Sequence, residues 1–302
     1  MSETSTETTP SDTYSDESRT RRRLRRIWRV LRQDRMGLVG IVLFSMLVVM
    51  AIFAPMLATH DPQEKSFMDK YEEPSAEHWL GTDSAGRDLY SRLVYGARPA
   101  FFVGLASAAA IAFTGTTVGV VAGYYGGYVD DFLMRTVDFV YGIPFLPMII
   151  ILVGLWQPSI FTILLAISLL LWRNTARVIR SHVLTLKEKP YIKSARIAGA
   201  SDRRIIVKHI LPNVLPLTFL YGSFAIGWAI LTEANASYLG FGDPTMISWG
   251  QMLLNANTSQ ALIRDAWWWI AAPGAMIMIT IISVFSIARG YEEVLNPELE
   301  EQ

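Results

Sequence analysis

The chain has 302 residues, of which 51% are apolar and only 18% charged, with a mean hydropathy of +0.29, a composition that argues against two soluble domains and for a fold embedded in lipid. Lys and Arg total 27, as do Asp and Glu, so the overall balance favours neither nucleic acid nor an acidic ligand. Cysteine is absent, which excludes disulfides, thiolate metal sites and cysteine nucleophiles, and the four histidines show no metal-ligand spacing.

In chain order, residues 1–18 are Ser, Thr, Asp and Glu with little apolar content and predict a disordered tail. Residues 19–35 hold nine arginines against one acid, Asp34. Leu24, Ile27, Trp28 and Leu31 recur there at helical spacing, which predicts a basic amphipathic helix on the inner membrane surface, held by anionic lipid. Nucleic-acid binding is the alternative for such a run, but its juxtamembrane position already accounts for the charge.

A span needs about 20 apolar residues to cross a hydrocarbon core roughly 30 Å thick. Residues 36–58 form the first such run, too long for the apolar region of a secretory signal and without a small-residue cleavage site. Residues 59–98 read as an outer loop, with eight acids to five bases. Residues 99–129 are the second span, in which Gly115, Gly119 and Gly123 form one stripe suited to close helix approach, inside the protein or against a partner. Residues 139–172 are too long for one span and are interrupted at Gly154, Gln157 and Pro158, which predicts two. Runs at 210–232 and 266–288 complete six, and residues 298–302 form a C-terminal tail. The segment 173–213 between spans four and five is basic: from Arg173 to His209 it carries ten Lys or Arg against Glu188 and Asp202. Positive charge collects on the cytoplasmic side, so both termini are expected inside. The expected fold is all-α and polytopic, with a five-helix core over 99–297.

Within the basic segment, Ala195, Ala198, Gly199 and Asp202 lie at i, i+3, i+4 and i+7, a narrow face bordered by Lys193, Arg196, Arg203 and Arg204. Gly199 is a break, after which Ser201 can cap a second short helix with Asp202 in its first turn, ending at Pro212. This reads as a docking surface or, more simply, as a solvated basic loop. In the outer loop, Gly81 and Gly86 permit tight turns, and Asp83, Arg87, Asp88 and Arg92 alternate in sign and can neutralise one another; a role for these charges in substrate binding is the alternative. Glu233 sits at the outer end of an otherwise uncharged helix, where it is expected to reach water at the interface unless it belongs to a pathway.

Taken together, these motifs resemble those of the dipeptide, oligopeptide and nickel permease family of binding-protein-dependent ABC importers, specifically the partner type with a long first outer loop. The cytoplasmic segment is similar to the family's coupling loop in Gly199, Ala200, Ile206, Leu211 and Pro212, although Lys193-Ser194-Ala195 stands where Glu-Ala-Ala is usual. The outer-loop run from Leu80 to Arg98, with Gly81, Thr82, Asp83, Gly86, Arg87, Asp88, Arg92, Gly96 and Arg98, is similar to the family signature. The segment from Glu233 through Gly240 and Gly242 to Pro244 matches as well. The resemblance implies a type I ABC importer permease fold in the cell membrane, with Glu233, Gly240 and Gly242 as pathway or gate residues. It further implies a second permease, two P-loop ATPases that hold ATP and magnesium, and an external solute-binding protein delivering peptides, nickel or oligosaccharides.

No Gly-x-x-x-x-Gly-Lys-[Ser/Thr] phosphate loop occurs in the chain, so no nucleotide cofactor and no enzymatic activity of its own are expected. Two other classes compete. An ion-coupled carrier or channel would need acids in the membrane, for which Asp138 is the candidate. An intramembrane aspartyl protease is suggested by Gly240-Phe241-Gly242-Asp243, but Asp243 precedes Pro244 in an outer loop without an obvious second carboxylate.

Overall fold

The computed structural model describes residues 35–295, with side chains to 292. The expected tails at 1–18 and 298–302, and all but the last residue of the basic amphipathic helix, lie outside the described residues. Those described are mostly helical and include five helices long and apolar enough to cross a membrane: α1 (Arg35–Ile52), α3 (Leu89–Tyr125), α6 (Ile160–Lys187), the run Asp202–Tyr238 that ends in α9 (Leu211–Tyr238), and α11 (Trp268–Leu295). Shorter helices lie between them: α2 (Ala54–Leu57), α4 (Gly127–Tyr141), α5 (Phe145–Trp156), α7 (Pro190–Ile197), α8 (Asp202–Ile205) and α10 (Trp249–Thr258).

The segment between α3 and α6 differs from expectation. Of the two spans expected in 139–172, the first is α5, only 12 residues long, or about 18 Å, too short to cross alone. It joins α4 through an 88° bend, and the pair is long and apolar enough to form either one broken span or a re-entrant loop. Gly154 does not interrupt α5. The break is at Gln157, which adopts φ 71°, followed by Ser159, whose hydroxyl caps α6 by accepting from the Thr162 N–H at 3.1 Å.

Three other boundaries move. The outer loop, expected to reach 98, ends at Asp88, whose carboxylate accepts from the Ser91 N–H at 2.7 Å and caps α3. From there α3 runs 37 residues through Pro99, about 55 Å and well beyond one bilayer core. At the far end α6 continues to Lys187, so the first part of the basic segment is an extension of that helix. Pro212 does not end a helix. Lacking an N–H, it cannot bond to the carbonyl four residues back, and the chain passes through a π-helical turn at Ile206–Ile210 before continuing as α9.

Glycines set the closest helix contact. A Cβ on Gly115, Gly119 or Gly123 would lie 2.6 to 2.8 Å from Thr175 Cβ, the Ala176 carbonyl oxygen or Val183 Cβ, so the stripe on α3 packs against α6 within this chain. Gly40 seats α1 on α11 in the same way, 2.7 Å from Ser286 Cβ. One buried cluster joins Leu47, Phe101, Ile230, Trp249 and Trp269; a second joins Ile111, Ile149, Ile163 and Ala229; a third, at the α7–α8 end, joins Val120, Ile179, Ile192, Ile205 and Ile210. Met46, Phe113, Leu155 and Phe161 are exposed, as expected of side chains meeting lipid or another subunit.

Candidate functional site

At the α7–α8 end, α7 opens with Pro190 in its first turn and closes on Gly199, which adopts φ 79°. The Gly199 N–H donates to the Arg196 carbonyl at 3.0 Å and the Ala200 N–H to the Ala195 carbonyl at 3.1 Å, the two bonds of a Schellman ending. Open space surrounds the position where a Cβ would stand, so the backbone conformation, and not crowding within the chain, selects glycine.

The loop is anchored from beneath. Ile192, Ile205 and Ile210 are fully buried against α3, α6 and α9, and Ala200, Ile206 and Leu211 pack on the same cluster. Tyr124 at the end of α3 donates its hydroxyl to Asp202 Oδ1 at 2.7 Å, and the Arg196 guanidinium lies 5.7 Å from the Tyr124 ring centroid. Lys187 donates to the Gly123 carbonyl at 2.9 Å. Movement of this segment is thereby tied to α3 and α6.

The exposed face is not quite the one expected. Ala198, Gly199, Arg196 and Asp202 are exposed, Asp202 with its carboxylate engaged by Tyr124, but Ala195 is half-buried. The tip is instead Ile197, 88% exposed, an apolar side chain that the small-residue pattern did not single out. Ser201 stands at the N-cap of α8 with Asp202 in its first turn, yet its hydroxyl makes no capping bond. Arg203, Arg204 and Pro212 are exposed. Lys193 pairs with Glu188 at 2.8 Å, and the Lys193 hydrogen bond and charge hold the Glu188 carboxyl below its ordinary value.

A cleft of about 360 Å³ opens between α4, α6 and α9, lined by Tyr141, Asn174, Arg177, Tyr221, Phe224 and Trp228 among others. Arg177 pairs with Asp138 at 2.7 Å, both well exposed, and its guanidinium lies 4.2 Å from the Tyr141 ring centroid. Arg173 approaches the same ring at 4.8 Å, and its buried Nε has no hydrogen-bond partner. Asp138 is therefore partnered by a cation beside the cleft and is not buried within this chain.

At the opposite end, Asp83 pairs with Arg87 and Arg92, but Asp88 does not join them; it caps α3 and meets His78 instead. Buried Asp83 accepts from Arg87 Nε at 2.7 Å and lies 3.8 Å from Arg92 Nε, while Arg92 donates to the Pro62 carbonyl at 3.0 Å. Thr82 accepts from the Glu72 N–H, and its hydroxyl donates to the Asp69 carbonyl. Gly81 and Gly86 adopt φ 68° and 74° where the loop folds against Glu72 and Ser66. Gly96 meets the Trp249 ring, and Arg98 donates to the Ala51 carbonyl at 3.2 Å.

Glu233 corrects the expectation of an interfacial carboxylate. It is only 4% exposed, and its Oε1 accepts from the Ser237 hydroxyl at 2.7 Å under α10. Gly242 lies against Ser237, and Gly250 against the Ala234 carbonyl, so α10 is pressed onto the end of α9. Gly240, at φ 89°, ends α9 with the same paired bonds seen at Gly199. Asp243 accepts from the Ile160 N–H at 3.1 Å and from the Thr245 N–H and hydroxyl at 2.9 and 2.6 Å, which makes it a tether for the start of α6. A protease carboxylate would need a second carboxyl sharing its proton; donors occupy this one instead.

The family model for the binding-protein-dependent transport system inner membrane component matches residues 115–297, and that for the N-terminal TM domain of oligopeptide transport permease C matches residues 22–74. The chain belongs to this permease family. It is 34% identical to the dipeptide transport system permease protein DppC of Alkalihalophilus pseudofirmus, over 96% of this chain and 93% of that one. It is likewise 34% identical to the oligopeptide transport system permease protein OppC of Bacillus subtilis (89% and 87%), and 31% identical to the glutathione transport system permease protein GsiD of Pectobacterium atrosepticum (90% of each). The protein is thus a multi-pass permease subunit of an ABC importer, and the helical architecture of the described residues, five long helices and a bent pair, agrees with that assignment.

Proposed function

We propose that this permease forms half of a translocation pathway for peptides, with a second permease as the other half. Two P-loop ATPases, holding ATP and magnesium, dock on the α7–α8 end, and an external solute-binding protein delivers cargo at the other. Both termini lie in the cytoplasm under this reading, since the basic segments 19–35 and 173–209 then share the cytoplasmic side. The chain itself carries no nucleotide.

The observation that carries the proposal is the α7 tip. Exposed Ile197, Ala198 and Gly199 protrude from a turn whose other face is locked by Ile192, Ile205, Ile210 and the Tyr124–Asp202 bond. An apolar knob with small neighbours fits a cleft on a partner, and the locked base converts motion of that cleft into motion of α3 and α6. ATP-driven closure would then interconvert inward-open and outward-open states through one two-state element. The names of the relatives, which transport dipeptides, oligopeptides and glutathione, support a peptide cargo. The pathway surface best supported in this chain is the cleft lined by Tyr141, Asn174, Arg177 and Trp228, which offers aromatic and cationic groups suited to a peptide's side chains and carboxylate. Glu233, Gly240 and Gly242 lie beyond its outer end, where Glu233 is buried and Gly242 seats the turn after α9 against Ser237.

The test is a Gly199→Trp variant of the assembled complex in proteoliposomes. The expected result is ATP hydrolysis retained, uptake of labelled peptide reduced at least tenfold, and insertion unchanged. Normal uptake by this variant would sink the coupling role.

A further inference from the structure

The fold brings together two histidines that lie far apart in the sequence. His60, just after α2, and His78, in the middle of the outer loop, stack with ring centroids 4.7 Å apart beside the carboxylate that caps α3. His78 Nδ1 is 2.9 Å from Asp88 Oδ1, and His60 Nδ1 is 4.0 Å from Asp88 Oδ2. One ligand atom from each of the three residues lies within 4.8 Å of the other two. Asp88 is 1% exposed at its side chain, and its contacts are imidazoles, the Ser91 N–H and the Thr59 hydroxyl. Glu72 adds a second carboxylate 3.8 Å from His78 Nε2.

We propose that His60, His78 and Asp88 form a binding site for a borderline divalent transition cation of the zinc type. Two imidazoles and one carboxylate are a nitrogen–oxygen donor set of the kind that holds such an ion with an open position, and bonds of about 2.1 Å place tetrahedral ligand atoms about 3.4 Å apart, within side-chain adjustment of the spacing here. The two carboxylates, Asp88 and Glu72, match the charge of a divalent ion. His60 is 33% exposed at its side chain and gives the ion access from solvent, while His78 and Asp88 are buried and held. The Ser91 N–H at 2.7 Å and the Thr59 hydroxyl at 3.4 Å orient the carboxylate from behind. A bound ion would clamp the exit of α2, the outer loop and the start of α3 together. Sequence spacing conceals this site, because the turns at Gly81 and Gly86 lie between His78 and Asp88, and His60 joins them only where its N–H bonds the Ser91 hydroxyl at the start of α3.

The full chain, carrying an affinity tag without histidine, is purified in detergent, stripped with chelator and titrated with Co²⁺ and then Zn²⁺. The expected result is one equivalent of Co²⁺ giving visible ligand-field bands, their loss on Zn²⁺ addition, and a rise in the thermal midpoint with Zn²⁺. His60→Ala, at the exposed ligand, is expected to keep the metal-free midpoint while weakening binding at least tenfold. His182→Ala, remote from the cluster, is expected to bind as the parent does. Absence of bands and of a midpoint shift at millimolar metal, or binding that survives both His60→Ala and His78→Ala, overturns the proposal.

Discussion

Asp243 illustrates how a single carboxylate follows its donors. Burial pushes its pKa up, but the hydrogen bonds from the Thr245 hydroxyl and N–H and from the Ile160 N–H outweigh this and hold the carboxyl below its ordinary value of 3.8. A depressed folded-state value means stability that is present above the ordinary value and lost as pH falls through the depressed one. Asp243→Ala is therefore expected to lower the thermal midpoint at neutral pH by the equivalent of about 1 kcal/mol, the usual worth of a helix cap, with the gap to the parent closing in acid. Scanning calorimetry in detergent from neutral pH to about 3 checks it; an acid-independent gap would mean the carboxylate charge contributes nothing. The sequence marked Asp243 only as half of a Gly-x-Gly-Asp pattern. Its partners at Ile160 and Thr245 come from the packing of the 241–247 turn on α6. Glu233 was visible as a lone acid in an apolar run, but whether it faced water depended on α10 folding over it, and α10 does.

Among the elements, α3 and α6 form the axis of the molecule, and the glycine stripe is what lets them meet. Gly119→Val is expected to cost about 3 kcal/mol, the upper end for overpacking, because the obstructing atoms are the Ala176 carbonyl and the Arg180 nitrogen, which are backbone and cannot rotate aside. The measurement is the detergent thermal midpoint, with Gly126→Ala as a poor control and Gly222→Ala as a better one, since its added Cβ would meet only Ala112 Cβ at 3.7 Å. The bent pair α4–α5 is held differently. Arg180 of α6 grips Asp130 of α4 through two bonds of 2.5 and 2.6 Å. Charge reversal at either residue is expected to speed amide exchange in α4, and the double swap Asp130→Arg with Arg180→Asp to slow it again. Exchange rates that ignore both single changes would show that the pair does not hold α4. The glycine spacing made the stripe readable in the sequence, while its partner helix was not, because small residues mark only that something comes close.

For the molecule as a whole, the expectation is that it is incomplete alone. The chain has no phosphate loop, yet it presents an anchored, apolar-tipped turn at one end and a cleft between α4, α6 and α9 that opens on its surface. Gentle extraction from the native membrane is expected to recover a P-loop ATPase and a second permease with it, and ATP hydrolysis in the preparation. Recovery of the chain by itself, under conditions that keep comparable complexes whole, would count against the docking role of Ile197.

Sequence alone determined the medium, the helical class, the five long crossing helices and the family, because hydrophobic length and charge segregation are one-dimensional properties that a bilayer reads directly. It also located the turn at Gly199, where the required backbone conformation names its residue. Tertiary structure decided the rest. It bent α4 against α5 by 88°, carried the helix through Pro212 by a π turn, buried Glu233, raised Ile197 above its small neighbours and placed His60 beside His78. Each of these depends on which distant residue arrives as a neighbour, and a pattern along the chain holds no record of that.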